Sequence, residues 1–449
     1  MSASFKGFQK EELLSIFKTM ATSRRTDEKM LTLLRQGKSF FHIGASGHEG
    51  AQLACAMQMN SKQDWSYPYY RDQTMVMGLG MTTEELFLGF LAKADDPGSG
   101  GRQLPQHYGQ KDLNIVSQSS PTGTQYLQAV GTAMATRQTD KNAIVYVSSG
   151  EGTTSQGEFH EALNWAGREK LPVLFHIEDN GFAISVPKSS QTAEGSVYDM
   201  VGGYGNLNRF ETDGTDFFDS FTTFKEAISS IRAGKGPAIV VSNVVRLLPH
   251  SSSDDHRKYR DADELSEEQK RDPIEKFRAQ CEQDGIISSD EFQQVWADVL
   301  QEVDAAAEKT LSAPYPKKSD ADTHVVDESV IAIPHSSPAT IGDEIVIVDA
   351  VNHALHEEMR RNDDMIIYGQ DVADGKGGVF TATKGLSTEF GDQRVFNSPL
   401  AEASIVGTAV GAAVAGLKPV VEIQFGDYIW TAMMQIRNEV ATIRYRSNN

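Results

Sequence analysis

Residues 143–185 constrain the fold more than any other stretch. An apolar run, Ala143–Val147, meets "SSGEGTTSQ", then a helix-like "GEFHEALNWAGREK", then a second apolar run, Val173–Ile177, and finally "EDNGFAIS". Strand, crossover helix and strand in that order predict a βαβ unit, with neighbouring strands parallel and their C-terminal ends on one edge of a sheet. Ala238–Val245 reads as another buried strand, and residues 9–36 as a helix, with Leu13, Leu14, Phe17 and Met20 at helical spacing and Gly37 as its stop. Residues 262–311 read as charged helix with caps at Ser266 and at Ser288 to Ser289. The alternation restarts later, with helix at Asp349–Arg361, strand at Met365–Tyr368, helix at Ala403–Ala415 and strand at Val420–Phe425. The fold class expected is therefore α/β, a parallel sheet flanked by helices, followed by a second α/β unit.

A chain of 449 residues is too long for one ordinary domain. The stretch 312–340, rich in Pro, Ser and Asp, reads as a linker between residues 1–311 and 341–449. The second unit, at 109 residues, is short for its pattern and is expected to be incomplete. A formal charge of −20 disfavours nucleic acid and anionic membrane as partners. No apolar run reaches the length of a membrane span, and the N-terminus lacks the order of a secretory signal. Two distant cysteines, Cys55 and Cys281, make neither a disulfide framework nor a zinc spacing and suit the reducing cytoplasm.

If the two runs are adjacent strands, Glu151 and Asn180, 29 positions apart (180 − 151), emerge side by side on the ligand edge of the sheet. A carboxylate, a carboxamide and loop carbonyls form an oxygen-only set suited to Mg²⁺ carrying phosphate oxygens. Gly150 and Gly152 let backbone approach a diphosphate, and the helix that follows presents free N–H groups. A polar loop whose glutamate caps a helix explains the same residues. Neither a P-loop nor a GxGxxG opening occurs.

The segment from Glu151 to Asn180 resembles the thiamine-diphosphate motif, a G-(D/E)-G followed about 30 residues on by asparagine. More narrowly, the chain resembles the decarboxylating component of branched-chain 2-oxoacid dehydrogenase complexes. "YYRDQ" (69–73), "GGRQLPQHYG" (100–109), "SQSSPTGTQYLQAVG" (117–131) and "PHSSSDDHRKYR" (249–260) are similar to signatures of its α subunit. "VFNSPLAEASIVGTAVGAAVAGLKPVVEIQFGDYIW" (395–430) is similar to the start of its β subunit, which implies an α–β fusion truncated in the β part. The resemblance implies that Glu151, Asn180 and the carbonyl of Phe182 hold Mg²⁺, that Tyr70 and Arg71 bind the diphosphate, and that Ser120, Thr122, Gly150, Gly152, Leu400 and Tyr428 line the cofactor. Glu402 would hydrogen-bond the pyrimidine and His250 would sit beside the reacting carbon. Ser119, Pro121, Thr124 and Gln125 match a K⁺ site, and His107 and Tyr108 fall near the centre. Glu178 departs from the arginine common at that position.

The activity implied is oxidative decarboxylation of 3-methyl-2-oxobutanoate and related 2-oxo acids (the EC 1.2.4.4 type), with reductive acylation of a lipoyl group on a partner acyltransferase, by a homodimer in the cytoplasm. Pyruvate-type and transketolase-type enzymes are alternatives within thiamine chemistry. A cofactor-binding fragment that does not turn over is the alternative outside it.

Overall fold

The computed structural model describes residues 4–139, 142–327 and 342–448. The first of two main sheets is wholly parallel. Its strands are β1 (Trp65–Tyr67), β2 (Val145–Gly150), β3 (Val173–Asp179), β4 (Asn208–Asp213) and β5 (Ala238–Asn243), in the order β1-β2-β3-β5-β4. The β2–β3 register pairs Val145 with Val173 and Gly150 with Glu178, so the two strands end together. Strands buried on both faces read as unbroken apolar runs rather than as alternation. Along them the side chains divide between two cores: Tyr146, Leu174 and Val240 to one face, Val145, Val147, Phe175 and Val241 to the other.

On the first face lie α1 (Lys10–Arg35), α4 (Phe217–Arg232) and α5 (Ser289–Leu311). On the second lie α2 (Thr124–Thr139) and α3 (Gly157–Glu169). Helix α1 opens with the Gln9 backbone N–H donating to Glu12 at 2.7 Å, and α5 opens on Ser288, whose backbone N–H donates to Glu291 at 3.0 Å. Ser266 is not a cap. It lies inside the helix Ala262–Gln269, whose N-cap is Asp261, because that acceptor stands one residue before the first turn.

The second main sheet is smaller and also parallel: β6 (Met365–Gly369) between β7 (Val395–Asn397) and β8 (Lys418–Glu422). It has its own core of Met359, Met365, Ile367, Val372, Leu386 and Val395. Its helix α6 (Glu402–Val414) is apolar on most sides and packs against α2 of the first unit. The two backbones touch: a Cβ on Gly131 would lie 1.8 Å from the Thr408 carbonyl oxygen, and one on Gly411 would lie 1.8 Å from that of Gln128. Thr132 Oγ1 donates to the Gly411 carbonyl at 2.9 Å in the same crossing.

The described part of the expected linker, 312–327, lies along the first unit. Ala94 N–H donates to the Pro314 carbonyl at 2.9 Å, and buried Lys93 donates to the carbonyls of Leu311 and Ala313 while its ammonium sits 3.7 Å above the Tyr315 ring. Residues 328–340 of that segment lie outside the described residues. Among the described residues no helix is long and apolar enough to cross a membrane. Cys55 and Cys281 are free and buried.

Candidate active site

Glu151 stands where β2 stops and a 3₁₀ turn, Glu151–Ser155, begins. It is 1% exposed. One carboxylate oxygen accepts the Asn180 backbone N–H at 3.2 Å, and the other, also buried, has no partner among the described residues. Burial first, and the charge of Asp179 second, push its pKa up to about 7. A buried carboxylate oxygen without a donor is costly, and a metal ion is one of the few groups that would compensate it. The sheet brings Asn180 to the same edge, as the spacing required, and Asn180 Oδ1 accepts from Phe182 N–H at 3.3 Å. Phe182–Ala183 pairs with Val186–Pro187 in a short ribbon that packs on Gly152, where a Cβ would lie 2.6 Å from that of Ala183. The glycine is needed there because the ribbon lies against the turn. At Gly150, by contrast, the nearest atom is 3.9 Å away. Among the described residues no three His, Cys, Asp or Glu side chains are grouped to hold a metal, so a metal here depends on one carboxylate with carboxamide and carbonyl oxygens.

Arg71 and His250 are 179 positions apart in sequence and bonded in space. Arg71 is buried; one guanidinium nitrogen donates to the Gly44 carbonyl at 2.5 Å, the other to His250 Nδ1 at 3.1 Å and to its carbonyl at 2.9 Å. Because Nδ1 faces a donor, the proton of neutral His250 is on Nε2. Burial, then the charges of Arg71 and Arg246, bring the His250 pKa down to about 4, so the ring is neutral at pH 7. Tyr70 faces both, with its ring 5.3 Å from the Arg71 guanidinium carbon and 6.1 Å from the His250 ring.

The loop before α2 closes the other side. A narrow cleft there is lined by Tyr69, Tyr70, His107, Ser120, Thr122 and Thr153, among others. Ser120 Oγ is 2.8 Å from His107 Nε2. Ser119 Oγ lies 3.2 Å from Thr124 Oγ1, which donates to the Pro121 carbonyl at 3.4 Å, so three of the four residues matched to a monovalent-cation site form one oxygen cluster. Gln125 turns elsewhere: its oxygen accepts Gly123 N–H at 3.0 Å and its nitrogen donates to the Ser148 carbonyl at 3.1 Å. Tyr108, also buried, donates to the Tyr70 carbonyl at 3.2 Å.

Glu402, Leu400 and Tyr428 stand apart from this group. Glu402 begins α6 and accepts from Gln370 Nε2 at 3.1 Å and Thr431 Oγ1 at 3.0 Å. Among the described residues, no hydrogen bond links it to Glu151, Asn180, Arg71 or His250. Leu400 is 82% exposed, and Tyr428, half-exposed, packs on Phe425 with ring centroids 5.2 Å apart.

Two arrangements escape the sequence: the burial of Arg246 and the partners of Glu178. Arg246 is 1% exposed and donates to the Ile184 carbonyl at 3.0 Å and to Tyr259 OH at 2.9 Å; its Nε has no partner among the described residues. Its charge bears on Glu151, Tyr70 and His250 together. Glu178, the departure noted above, points into the protein. It accepts from His48 Nδ1 (2.5 Å), Gln52 Nε2 (2.9 Å) and Tyr69 OH (3.2 Å), while Gln52 also donates to the Arg71 carbonyl at 2.9 Å. Burial raises the pKa of both Asp72 and Glu178, and burial lowers that of His48. This polar layer supports the Tyr69–Asp72 turn from beneath. The only sequence signal for Arg246 is its position four residues before His250.

The C-terminal edge of a parallel sheet thus gathers a carboxylate, a carboxamide, a buried arginine and a neutral histidine in an α/β protein. Residues 17–319 match the Dehydrogenase E1 component family and residues 343–448 match the Transketolase, pyrimidine binding domain family. The 2-oxoisovalerate dehydrogenase subunit alpha of Bacillus subtilis is 39% identical over 69% of this chain and 93% of that protein. A Pyruvate dehydrogenase E1 component subunit alpha of Staphylococcus aureus is 32% identical over 66% and 77% respectively. The mitochondrial 2-oxoisovalerate dehydrogenase subunit alpha of Caenorhabditis elegans is 34% identical over 69% and 72%. The chain belongs to the dehydrogenase E1 component family, thiamine-diphosphate-dependent 2-oxoacid dehydrogenases, with a pyrimidine-binding transketolase-type domain after it.

Proposed function

We propose that this chain catalyses oxidative decarboxylation of branched-chain 2-oxo acids, 3-methyl-2-oxobutanoate and its relatives, and passes the acyl group to a lipoyl group on a partner acyltransferase. The unpartnered, buried Glu151 oxygen beside Asn180 is the observation that carries the reading, because it leaves a place for Mg²⁺ at the ligand edge of the sheet. Identity of 39% to a 2-oxoisovalerate enzyme against 32% to a pyruvate enzyme supports the branched-chain choice.

Thiamine diphosphate, when bound, supplies the electron sink for loss of CO₂. Glu151, Asn180 and the Phe182 carbonyl would hold Mg²⁺ on its diphosphate. Tyr70 and Arg71 would donate to that diphosphate, and Arg71, through its bond to Nδ1, fixes the histidine so that Nε2–H points away from the arginine. Ser120, Thr122, Gly150, Gly152, Leu400 and Tyr428 would line the cofactor. Ser119, Pro121 and Thr124, with Gln125 after a turn of its side chain, would take K⁺. Glu402 would hold a proton at the pyrimidine ring nitrogen.

Because Glu402 makes no bond to the diphosphate-side group among the described residues, we assign it, with Leu400 and Tyr428 beside it, to the site of a second copy in a homodimer. Residues 1–311 would act as the diphosphate domain, 312–340 as the linker and 341–449 as the pyrimidine domain, in a cytoplasmic complex. The same observation favours a second reading, in which an unassembled chain binds cofactor without turnover.

The test is exchange of the cofactor's thiazolium proton into D₂O. Proton transfer by a placed group contributes roughly 100- to 10,000-fold, so Glu402→Gln is expected to slow exchange by about that factor while cofactor still binds. Unchanged exchange would refute the assignment of Glu402. Absence of exchange in the parent, with cofactor bound, would favour the second reading.

A further inference from the structure

Glu439 lies in the C-terminal unit, on a π-helical turn, Ile436–Val440. Such turns add a residue per turn, redirect side chains, and recur at functional sites. Its side chain is fully buried. One carboxylate oxygen accepts from Ser119 Oγ, in the loop that closes the cofactor cleft, and the other accepts from Arg446. Arg446 is 5% exposed, and two of its guanidinium nitrogens have no partner among the described residues. One residue before the π-helical turn, Gln435 donates from its fully buried amide to the Thr124 carbonyl at 3.2 Å. The same terminal segment reaches the neighbouring signature: Arg102 donates to Asn448 at 2.9 Å, and its guanidinium carbon lies 5.5 Å from the Tyr445 ring centre.

A buried ion pair is a poor way to gain stability, because desolvation offsets most of the attraction. What this pair does do is hold a hydroxyl. Ser119 belongs to the loop whose Ser120 meets His107 and whose Thr122 faces Tyr70 across the cleft. The loop has few regular backbone bonds of its own, so side-chain anchors set its position.

We propose that Glu439, fixed by Arg446, is a positioning residue for the cofactor-facing loop 118–125: the C-terminal unit sets the geometry of the diphosphate-side site by gripping Ser119. The proposal rests on the thiamine-diphosphate reading above. It adds to that reading a route by which one unit of the chain controls cofactor affinity in the other without touching the cofactor.

The test measures the Kd of thiamine diphosphate with Mg²⁺, by calorimetry in KCl, for the full chain and three variants, together with melting temperatures without cofactor. Ser119→Ala removes the hydroxyl, and with it both the Glu439 contact and one of the oxygens proposed for K⁺. The pair Glu439→Leu with Arg446→Met replaces both buried charges by apolar groups of similar size, which such sites generally tolerate. The third variant combines all three changes. Outer-shell partners typically contribute about 10- to 100-fold to affinity, so Ser119→Ala and the charge-pair variant are each expected to weaken Kd by about tenfold. The charge-pair variant should melt near the parent temperature, which a role in stability alone would not give. Because Glu439 acts through Ser119, the losses should not multiply: the triple variant should bind no more than about threefold more weakly than Ser119→Ala alone.

Parent-like Kd in Ser119→Ala overturns the proposal even if the charge-pair variant fails to fold. Losses that multiply in the triple variant overturn it too. A parent that binds no thiamine diphosphate refutes the cofactor reading itself, and the proposal falls with it.

Discussion

At the scale of single residues, two ionisable groups do unlike things at one sheet edge. Glu151, with its pKa pushed up to about 7 by burial and by Asp179, is part-protonated at neutral pH. Its carboxyl must lose that proton to hold a divalent cation, so Mg²⁺ uptake with thiamine diphosphate should release on the order of half a proton at pH 7 and nearly none at pH 8.5. Calorimetry in two buffers of different ionisation enthalpy measures this, and equal release at the two pH values would sink the assignment. Glu151→Gln should abolish the release and weaken Mg²⁺-dependent binding. His250 runs the other way. Its folded pKa is about 4 against 6.5 for the free side chain, so the unfolded chain binds the proton first. Stability from this group is present above pH 6.5 and is lost as pH falls towards 4. His250→Asn should flatten the dependence of the urea midpoint on pH across that window; an unchanged slope would mean that His250 titrates normally. Glu151 and Asn180 were legible in the sequence because strand-end spacing alone brings them together. Arg246 was not, because its role comes from burial beside Phe182 and Tyr259, and burial of an arginine leaves no periodic trace.

At the scale of elements, strands and crossover helices could be read because β2, β3 and β5 are buried on both faces and so appear as continuous apolar runs. Their ends could not be read to the residue: β2 runs on through Ser148 and Ser149 to Gly150, since ladder pairing with β3 continues after the apolar residues stop. The α2–α6 crossing was equally hidden. The stretch "EASIVGTAVGAAVAG" spells the helix expected at Ala403–Ala415 but not its neighbour, whereas Gly131 and Gly411 are there to let two backbones touch. Ala normally stabilises a helix by up to about 1 kcal/mol over Gly. Here the added methyl has no room, and overpacking costs about 1–3 kcal/mol. Gly411→Ala should therefore lower stability by at least about that much in urea titrations. Gly157→Ala, at a helix start with nothing within 4 Å, should change it by less than about 0.5 kcal/mol. If both substitutions proved neutral, the close crossing would not exist in solution.

At the scale of the whole molecule, the two units are joined by a tight helix crossing and a buried charge clasp, yet among the described residues no hydrogen bond joins the two groups proposed to face the cofactor. Glu151, Asn180, Arg71 and His250 gather in one group, and among the described residues the side chain of Glu402 hydrogen-bonds to Gln370 and Thr431 of its own unit. If each site takes its diphosphate side from one copy and its Glu402 from the other, two defective variants should repair each other. Glu151→Gln and Glu402→Gln, each alone, would leave both sites of a homodimer damaged. In a twofold dimer made by unfolding and refolding an equal mixture, half the molecules would carry both chains. In each of these, one site would bear both substitutions and the other neither, so about a quarter of all sites would be intact by twofold symmetry. Thiazolium proton exchange in the refolded mixture should then recover to about a quarter of the parent level. Equal amounts of the two variants mixed without unfolding should stay near the single-variant level for as long as the dimers do not exchange subunits. Recovery absent after refolding, in a mixture shown by mass to contain mixed dimers, would mean that Glu402 serves the site of its own chain. The gap between the two groups would then have to close by movement of the C-terminal unit.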